Sequence, residues 1–303
     1  MTSSLPPVSI GIPFFNAADD LLDAIRSVFA QTHEDWELIL VDDGSTDCSL
    51  SLAKSINDPR VRVYSDGKNK RLATRLNQIS QLAKYDFVAR MDADDLMSPM
   101  RIERQLRLLV SNPALDLVST GLYSLDNENR PIGSRCVSPK HMINAKSLLA
   151  GNSGILNGSI VARRDWFLRN PYKETLDRAQ DANLWLQAYS QNDLNVTVMN
   201  EPLYFYREDN NVSEERILSA YKVMRHSILN DAKQRYGTWS RIRAYAESLV
   251  KSAIIRVLAR LNRLDVIRKR RIGEVISESE RQEVIHVIKK IQATRLPLEP
   301  ADH

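Results

Sequence analysis

Hydrophobic and polar positions along the first half of the chain follow two alternating patterns. Short apolar runs, such as residues 38–41 and 87–89, have the length of buried strands. Between them, apolar residues recur every three or four positions, as in residues 17–31 and 71–82, which is the spacing of an amphipathic helix. Alternating strands and helices predict βαβ units, so we expect an α/β fold with a mostly parallel sheet flanked by helices.

The pattern also sets the expected boundaries. The first four strands are predicted over residues 8–12, 37–41, 61–64 and 87–91, with Pro13 ending the first because proline has no N–H for a strand ladder. Later, a helix is predicted near 180–191 and two short strands near 195–199 and 203–206. Everything from about residue 213 onward has helical periodicity. We therefore expect a first domain over 1–212 and a helical, basic C-terminal region over 213–303.

Carboxylates follow two of the predicted strands directly. Asp92, Asp94 and Asp95 come after the fourth strand, and Asp42 and Asp43 come at the end of the second. Ligands of open α/β sheets collect at the carboxyl ends of strands. An isolated D-x-D is most often an acidic turn in water, but carboxylates this close repel one another unless a cation or a ligand compensates them. Two acidic strand ends in one sheet predict a site for a nucleotide and a divalent metal.

Composition places the chain among ordinary soluble globular proteins. Its 303 residues are 43% hydrophobic and 26% charged. Cys48 and Cys136 lie far apart and fit no metal-ligand spacing, which indicates a reducing compartment without a disulfide framework. The first residues lack the features of a signal peptide, and no apolar stretch approaches the ~20 residues that span a bilayer. We expect a cytoplasmic protein.

The net charge of +4 hides a basic segment. Residues 241–271 contain ten Lys or Arg against two acids, so this segment carries +8 and the rest of the chain −4. Apolar residues are expected on one helical face (Val250, Ile254, Val257, Leu258, Leu261 and Leu264), and basic residues on the other (Arg256, Arg260 and Arg263). Such a helix suits the surface of an anionic membrane, which would make the protein peripheral on the inner face of the cell membrane. The alternative is a helical bundle packed on the first domain, with its Arg face in solvent. Nucleic acid is not an expected partner, because no recognition motif accompanies the charge.

Five motifs between residues 8 and 213 occur in the order found in one enzyme family. They are VSIGIPFFN (8–16), QT (31–32), VDDGSTD (41–47), MDADD (91–95) and QDANLW (180–185). With these motifs the chain resembles the family 2 glycosyltransferases, whose GT-A fold is a Rossmann-like sheet that binds a nucleotide-diphosphate sugar. The resemblance implies an inverting enzyme of the kind that builds bacterial surface polysaccharides.

The resemblance implies a nucleotide-binding role for Pro13, Phe15 and Asn16 in the first motif. Phe15 corresponds to the aromatic residue that stacks on the nucleobase, and a core aromatic is the alternative. Asp43 corresponds to the carboxylate that accepts a hydrogen bond from the base, with Asp42 beside it. A structural Asx turn leading into Gly44 is the competing interpretation.

The D-x-D motif implies a metal ion. Asp94 corresponds to the metal ligand, and Asp92 to the residue that contacts the ribose or a metal-bound water. A hard cation, Mn²⁺ or Mg²⁺, would join Asp94 to the diphosphate. For Asp95 two roles stay open, which are starting the next helix and taking part directly in the site.

Asp181 aligns with the catalytic base of the inverting members, which takes the proton from an acceptor hydroxyl. A helix N-cap is the alternative. Arg71 and Arg75 are candidates for binding the diphosphate, whereas Lys68 and Lys70 fit a solvated helix face equally well.

The chain also departs from the family pattern. Gln180 stands where many relatives have Glu, and the histidine that some relatives use as a further metal ligand is absent, which leaves Glu208, Asp209 or water. The motif of processive synthases is missing, so transfer of single sugars is expected, to a saccharide or a lipid-linked saccharide. Two other functions fit the sequence less well. A sugar-phosphate nucleotidyltransferase would need a Gly-rich, basic loop after the first strand, which this chain lacks. A non-catalytic binding module would be expected to have lost the base or the metal-binding acids, which this chain retains.

Overall fold

The computed structural model describes residues 4–137, 143–208, 213–232 and 235–298. Its strands are β1 (Val8–Phe14), β2 (Trp36–Asp42), β3 (Val61–Tyr64), β4 (Phe87–Arg90), β5 (Leu96–Met97), β6 (Leu117–Leu125), β7 (Pro131–Arg135), β8 (Val161–Arg163) and β9 (Val196–Arg207). Its helices are α1 (Leu21–Phe29), α2 (Ser49–Lys54), α3 (Arg71–Leu82), α4 (Arg101–Ser111), α5 (Ala145–Leu149), α6 (Arg164–Arg169), α7 (Gln180–Ser190), α8 (Glu214–Asn230), α9 (Thr238–Arg260), α10 (Asp265–Ile272) and α11 (Glu278–Gln292).

The strands form one mixed sheet in the order β3-β2-β1-β4-β8-β6-β9-β5, with β7 paired to β6. The first four are parallel, so their carboxyl ends meet at one edge, as the sequence predicted. Along β2, Leu38 and Leu40 enter one core cluster, whereas Ile39 and Val41 enter another. Both faces of the sheet are therefore covered, which explains why β2 is an unbroken apolar run. The α/β fold with a flanked, Rossmann-like sheet is confirmed.

Two expected strand boundaries are wrong. β1 continues through Pro13 to Phe14. The backbone carbonyl of Gly11 points toward the β4 side, so the backbone nitrogen of Pro13, two residues on, points to the same side. The pairing of β1 with β4 ends at Gly11, so no partner awaits the N–H that Pro13 lacks. The two short strands predicted between 195 and 206 are one strand, β9, whose pairing with β6 shifts register near Gly121.

The C-terminal helices lie on different parts of the molecule. α8 packs on α7 and α9 packs on α8, whereas α11 packs on α1. Val284, Ile288 and Ile291 of α11 share a core cluster with Leu96 and Phe205 of the sheet. The expected domain boundary at residue 212 lies outside the described residues, so the division stays a prediction. Among the described helices, none combines the length and apolarity needed to cross a membrane.

Candidate active site

A cleft opens at the carboxyl ends of β1 and β4, and we call it the β1–β4 cleft. Its volume is about 280 Å³, and it is lined by residues 13–17, Asp20 and residues 92–94. The Phe15 side chain is 48% exposed, whereas Phe14 beside it is 2% exposed. The Phe15 ring therefore borders the cleft and is not a core aromatic. Pro13 is a buried residue of the cleft wall.

Hydrogen bonds fix the loop after β1 to the loop after β2. The Asn16 backbone N–H donates to Ser45 Oγ at 3.0 Å, and Asn16 Oδ1 accepts from the Thr46 backbone N–H at 2.8 Å. Asn16 has a φ of 50°, in the left-handed region that asparagine tolerates better than most residues. Its carboxamide therefore sets the shape of the cleft wall.

Asp42 is a buried carboxylate bonded within the chain. It accepts hydrogen bonds from the Ser45 backbone N–H at 2.9 Å and from Ser65 Oγ at 2.7 Å. Burial alone would raise the pKa of this carboxyl, but the bonds from Ser45 and Ser65 outweigh it and lower the pKa. The Asx turn after β2, which is the competing interpretation for Asp43, is therefore formed by Asp42.

Asp43 holds the start of α3. Its Oδ1 accepts from the Lys70 N–H at 2.7 Å and from Arg75 Nε at 2.8 Å, and its Oδ2 accepts from the Arg71 N–H at 3.0 Å. Gly44 permits this approach, because its φ is 77° and a Cβ there would lie 2.8 Å from the backbone of the neighbouring loop. A carboxylate offers about four lone-pair positions, so one on Oδ2 is left.

Arg75 differs from the phosphate-binding role expected from the sequence. Its side chain is 1% exposed. Its five N–H groups make five hydrogen bonds within the chain, to Asp43, Asp66, Gln78 and the Lys68 carbonyl. No donor remains for a phosphate. Arg75 thus joins the loops after β2 and β3, and the nucleotide-binding role expected for it stays a prediction.

Arg71 is the more accessible arginine of the pair. Its guanidinium forms an ion pair with Asp177, and the two side chains are 58% and 62% exposed. An ion pair this exposed contributes little to stability, so its exchange for another anion costs little. Of the two lysines, Lys70 pairs with Asp66 at 2.7 Å on the surface.

Asp92 is paired with a buried arginine that the sequence reasoning did not identify. Arg90 Nη2 lies 2.7 Å from Asp92 Oδ1, and the two side chains are 6% and 28% exposed. Burial lowers the pKa of Arg90, but the charges of Asp92, Tyr172, Tyr204 and Asp181 outweigh it and raise the pKa. Within the described residues, Arg90 Nε has no hydrogen-bond partner.

Asp95 connects the acidic turn to β9. It accepts a hydrogen bond from the Tyr204 hydroxyl at 2.8 Å and another from the Arg207 N–H at 2.9 Å. Burial, and then the charges of Asp94 and Asp92, raise its pKa well above the ordinary value. Because α4 begins only at Arg101, Asp95 neither starts the next helix nor faces the cleft.

Because Gly158 has no side chain, its backbone can lie close to Asp92 and to Tyr204. A Cβ at this position would lie 2.6 Å from the Tyr204 hydroxyl oxygen and 3.0 Å from Asp92 Oδ2. The Tyr204 hydroxyl also accepts the Asp92 backbone N–H at 3.2 Å. Gly158, Tyr204 and Arg90 together fix Asp92 from three sides.

Asp181 lines a second cavity, of about 350 Å³, which we call the Asp181 cavity. Its wall includes residues 151–156 and Trp185. The N-cap position of α7 is Ala179, with no side-chain cap, so Asp181 does not serve as the N-cap that was the alternative. Within the described part of the chain the Asp181 carboxylate makes no hydrogen bond. Trp185 is 1% exposed and stacks on Trp166, which makes it mainly a core residue.

The acids of the β1–β4 cleft fit a hard cation only if a ligand helps to hold it. No group of three or more His, Cys, Asp or Glu among the described residues is arranged for a metal. Glu208 is buried and bonds Ser124 and Arg135, and Asp209 lies outside the described residues. Asp92 and Asp94 both border the cleft. Two carboxylates supplemented by diphosphate oxygens and water suffice for Mg²⁺ or Mn²⁺.

Sequence reasoning missed Arg90 and Tyr204, and it placed Gly158 in a loop expected to contact the acceptor without connecting it to Asp92. Arg90 ends a buried apolar strand, and a charge at the end of a strand followed by three acids is the signal that could have identified it. Tyr204 and Gly158 are distant in sequence from Asp92, and no local pattern connects them to it.

Comparison with known proteins bears on the family and the fold of the chain. The family model described as Glycosyl transferase family 2 matches residues 9–169. One relative is the UDP-Glc:alpha-D-GlcNAc-diphosphoundecaprenol beta-1,3-glucosyltransferase WfgD of Escherichia coli. It is 29% identical over 189 residues, which cover 62% of this chain and 72% of WfgD.

Two solved structures share the fold. S. aureus TarS 1–349 in complex with UDP-GlcNAc superposes with a TM-score of 0.60 at 18% identity, covering 95% of this chain and 82% of TarS. The mannosyltransferase PcManGT from Pyrobaculum calidifontis, in complex with GDP-Man and Mn²⁺, gives 0.59 at 14% identity, covering 96% of this chain and 88% of PcManGT. The GT-A architecture is confirmed, and the chain belongs to glycosyl transferase family 2 and is a glycosyltransferase.

Proposed function

We propose that this enzyme transfers one sugar from a UDP-linked donor to a hydroxyl of a lipid-linked saccharide, with inversion at the anomeric carbon. One observation carries the proposal. Residues 151–156 line the Asp181 cavity, and two residues further on Gly158 approaches the acidic turn, where a Cβ would lie 3.0 Å from Asp92 Oδ2, so one short segment joins the cavity to the β1–β4 cleft. A donor bound at the turn would present its sugar toward Asp181.

The donor half of the site has the groups that a nucleotide needs. The exposed Phe15 ring offers a face for stacking on a base, and Asp43 Oδ2 retains one acceptor position for a base N–H. Arg71 can exchange Asp177 for a phosphate oxygen. The donors in the names of WfgD and TarS carry UDP, whereas PcManGT was solved with GDP-Man. We assign a UDP-linked donor to this enzyme on the strength of WfgD and TarS.

Asp92 and Asp94 would hold Mg²⁺ or Mn²⁺ together with the diphosphate. The cation, when bound, would supply Lewis-acid stabilisation of the negative charge on the leaving diphosphate. Arg90 keeps the Asp92 carboxylate directed to the cleft edge through their 2.7 Å contact.

Asp181 is the proposed base. Its carboxylate accepts the proton of the acceptor hydroxyl while the hydroxyl oxygen bonds to the anomeric carbon. The bond from that carbon to the diphosphate oxygen breaks, and the nucleoside diphosphate leaves with the electron pair. Such general-base assistance contributes typically ~10²–10⁴-fold in rate. Because Asp181 makes no hydrogen bond within the described residues and lines a cavity, it is accessible to an acceptor.

The proposal of a lipid-linked acceptor rests on the relative WfgD, whose name specifies a diphosphoundecaprenol-linked sugar. The role would be in bacterial polysaccharide biosynthesis.

Thermal stability tests the donor half first. We expect UDP with Mn²⁺ to raise the melting temperature of the wild type, GDP and dTDP to raise it less, and Asp94→Asn to abolish the rise. Asp181→Asn should retain the rise but lose transfer by about 10²–10⁴-fold, measured as nucleoside diphosphate release from UDP-sugars with a polyprenyl-diphosphate-linked sugar. No rise with any nucleotide would instead favour a non-catalytic module, and unchanged transfer in Asp181→Asn would exclude it as the base.

A further inference from the structure

Helix α9 buries a narrow side that includes two serines, and it leaves most of its large apolar residues exposed. The residues that it buries are Ala244, Ser248, Ser252 and Ile255. The opposite side exposes a stripe of seven apolar residues, Trp239, Ile242, Leu249, Val250, Ile254, Val257 and Leu261, which we call the α9 stripe. Trp239 is 83% exposed and Leu261 is 65% exposed. A surface helix normally has the reverse arrangement, so the stripe requires a partner.

Polar contacts to α8 hold α9 in this orientation. Arg225 of α8 donates to Ser248 Oγ at 3.1 Å and to Ser252 Oγ at 2.9 Å. Arg241 donates to the Ile228 carbonyl at 2.9 Å near the end of α8. Rolling α9 to bury its stripe would break these bonds and leave Arg225 without acceptors. The exposed stripe is therefore a fixed feature of the fold.

Positive charge accompanies the stripe. Arg256 and Arg260 of α9 are exposed, and within the described residues neither forms an ion pair with a carboxylate. Exposed Lys269, Arg270 and Arg271 follow in α10. An apolar stripe accompanied by the unpaired Arg256 and Arg260 matches an anionic membrane surface, where apolar side chains enter the boundary of headgroups and acyl chains. A second copy of this chain would bring like charges together.

The helix that carries the stripe contacts the loop of the proposed acceptor site. Lys251 of α9 donates to the Ala150 carbonyl at 3.2 Å, and residues 151–156 immediately after it line the Asp181 cavity. The 23 residues of α9 extend about 35 Å, at about 1.5 Å per residue. A membrane under this length of helix would lie beside the loop that borders the cavity.

We propose that α9 docks lengthwise on an anionic membrane, with the α9 stripe at the headgroup boundary, and thereby presents the Asp181 cavity to an acceptor carried by a lipid. The acceptor part of this inference rests on the proposed function, whereas the docking does not.

Trp239 provides a direct probe of docking. The other tryptophans, Trp36, Trp166 and Trp185, are at most 3% exposed. Vesicles of phosphatidylcholine with about one-third phosphatidylglycerol should therefore shift the fluorescence to the blue through Trp239, and carry the protein upward in a flotation gradient. Pure phosphatidylcholine vesicles should bind much less, and about 1 M salt should weaken binding to the anionic vesicles. Trp239→Phe should lose the shift but still float.

Matched variants separate the stripe from general surface effects. Ile254→Glu combined with Val257→Glu should weaken vesicle binding by about tenfold or more. Arg256→Glu combined with Arg260→Glu should weaken it by about 30-fold or more, since each basic group near an anionic surface contributes. Val110→Glu on α4, a position 44% exposed, should bind like the wild type. Circular dichroism and the nucleotide-dependent rise in melting temperature should be unchanged in every variant.

Equal flotation of wild type and both double variants would overturn the proposal. So would a dimer in light scattering that the Ile254→Glu, Val257→Glu variant converts to monomers, since the stripe would then be an interface between copies. The nucleotide-dependent rise reports on the proposed function separately, so a protein that binds nucleotide but not vesicles refutes docking alone.

Discussion

The Arg90 guanidinium lies 2.7 Å from the Asp92 carboxylate at the carboxyl end of β4. The arginine is buried, whereas the carboxylate reaches the β1–β4 cleft. One buried cation therefore pairs with a carboxylate of the acidic turn, and the charge of Asp181 is one of the influences that raise the pKa of Arg90. Arg90 touches neither substrate in the proposed mechanism, so we regard it as a positioning residue.

Replacing Arg90 should damage the site beyond its effect on stability. We expect Arg90→Gln to lower the free energy of unfolding by about 1–3 kcal/mol, because Asp92 loses a charged partner. We also expect kcat/KM to fall about tenfold or more, with partial recovery in Arg90→Lys. The matched control is Arg62→Gln, which breaks a pair with the buried Glu37 near the amino-terminal end of β2, away from the site. It should lower the free energy of unfolding but leave kcat/KM unchanged, and an equal kinetic loss in both variants would exclude a specific role for Arg90.

Gly158→Ala tests the close approach beneath Asp92. The new methyl group would meet the Tyr204 hydroxyl oxygen at 2.6 Å, so Tyr204 and Asp92 must move. Overpacking of this kind costs about 1–3 kcal/mol. We expect urea unfolding to show that loss and the Mn²⁺-dependent rise with UDP to shrink. Gly237→Ala, where the nearest atom is 4.0 Å away, is the control: it should cost at most about 1 kcal/mol, because Gly237 is the N-cap of α9, and it should leave the rise with UDP unchanged.

Phe15→Ala tests base stacking in the cleft. Because the ring is 48% exposed, its loss should scarcely affect folding. Stacking of a base on an aromatic ring contributes about 1–3 kcal/mol, so UDP affinity should fall at least about fivefold in calorimetric titration. Leu168→Ala, at a position 46% exposed on α6, should bind UDP normally. Unchanged affinity in Phe15→Ala would place the base elsewhere.

The parts of the fold that local patterns determine could be predicted. The bounds of α3 agree with the helical periodicity of residues 71–82, and the apolar run of β2 ends directly at Asp42, whereas Arg90 and Met91 separate the apolar run of β4 from Asp92. These signals are strong because both faces of the parallel strands are buried, so apolar residues run without interruption. The acids at one edge of the sheet follow from parallel pairing alone.

The rest depends on contacts between distant residues. Burial turns Arg75 from a phosphate candidate into a connection between loops, and its partner Asp66 lies in a different loop. For α9, periodicity indicated that one face is apolar but not which face packs. Arg225, on another helix, decides it by bonding the two serines. The helix also ends at Arg260, so Leu264 falls beyond the face on which it was expected.

Glu37 should make the stability of the sheet depend on acid pH. Burial would raise the pKa of this carboxyl, but hydrogen bonds from Ser9, the Lys84 N–H and Arg62 outweigh it and lower the pKa below the ordinary 4.5. Since the folded state holds the proton less tightly than the unfolded state, the stabilisation is complete above the ordinary pKa and is lost as pH falls through the lowered one.

We therefore expect Glu37→Gln to lower the free energy of unfolding at pH 7 by about 1–3 kcal/mol, and by less near pH 3, measured by urea unfolding at each pH. Glu283→Gln, at an exposed position, should change little at either pH. A difference between wild type and Glu37→Gln that stays constant from pH 7 to pH 3 would mean that the Glu37 bonds hold equally well when the carboxyl is protonated. The linkage would then arise from other buried acids of the sheet, such as Asp42, whose pKa burial would raise but the hydrogen bonds from Ser45 and Ser65 lower.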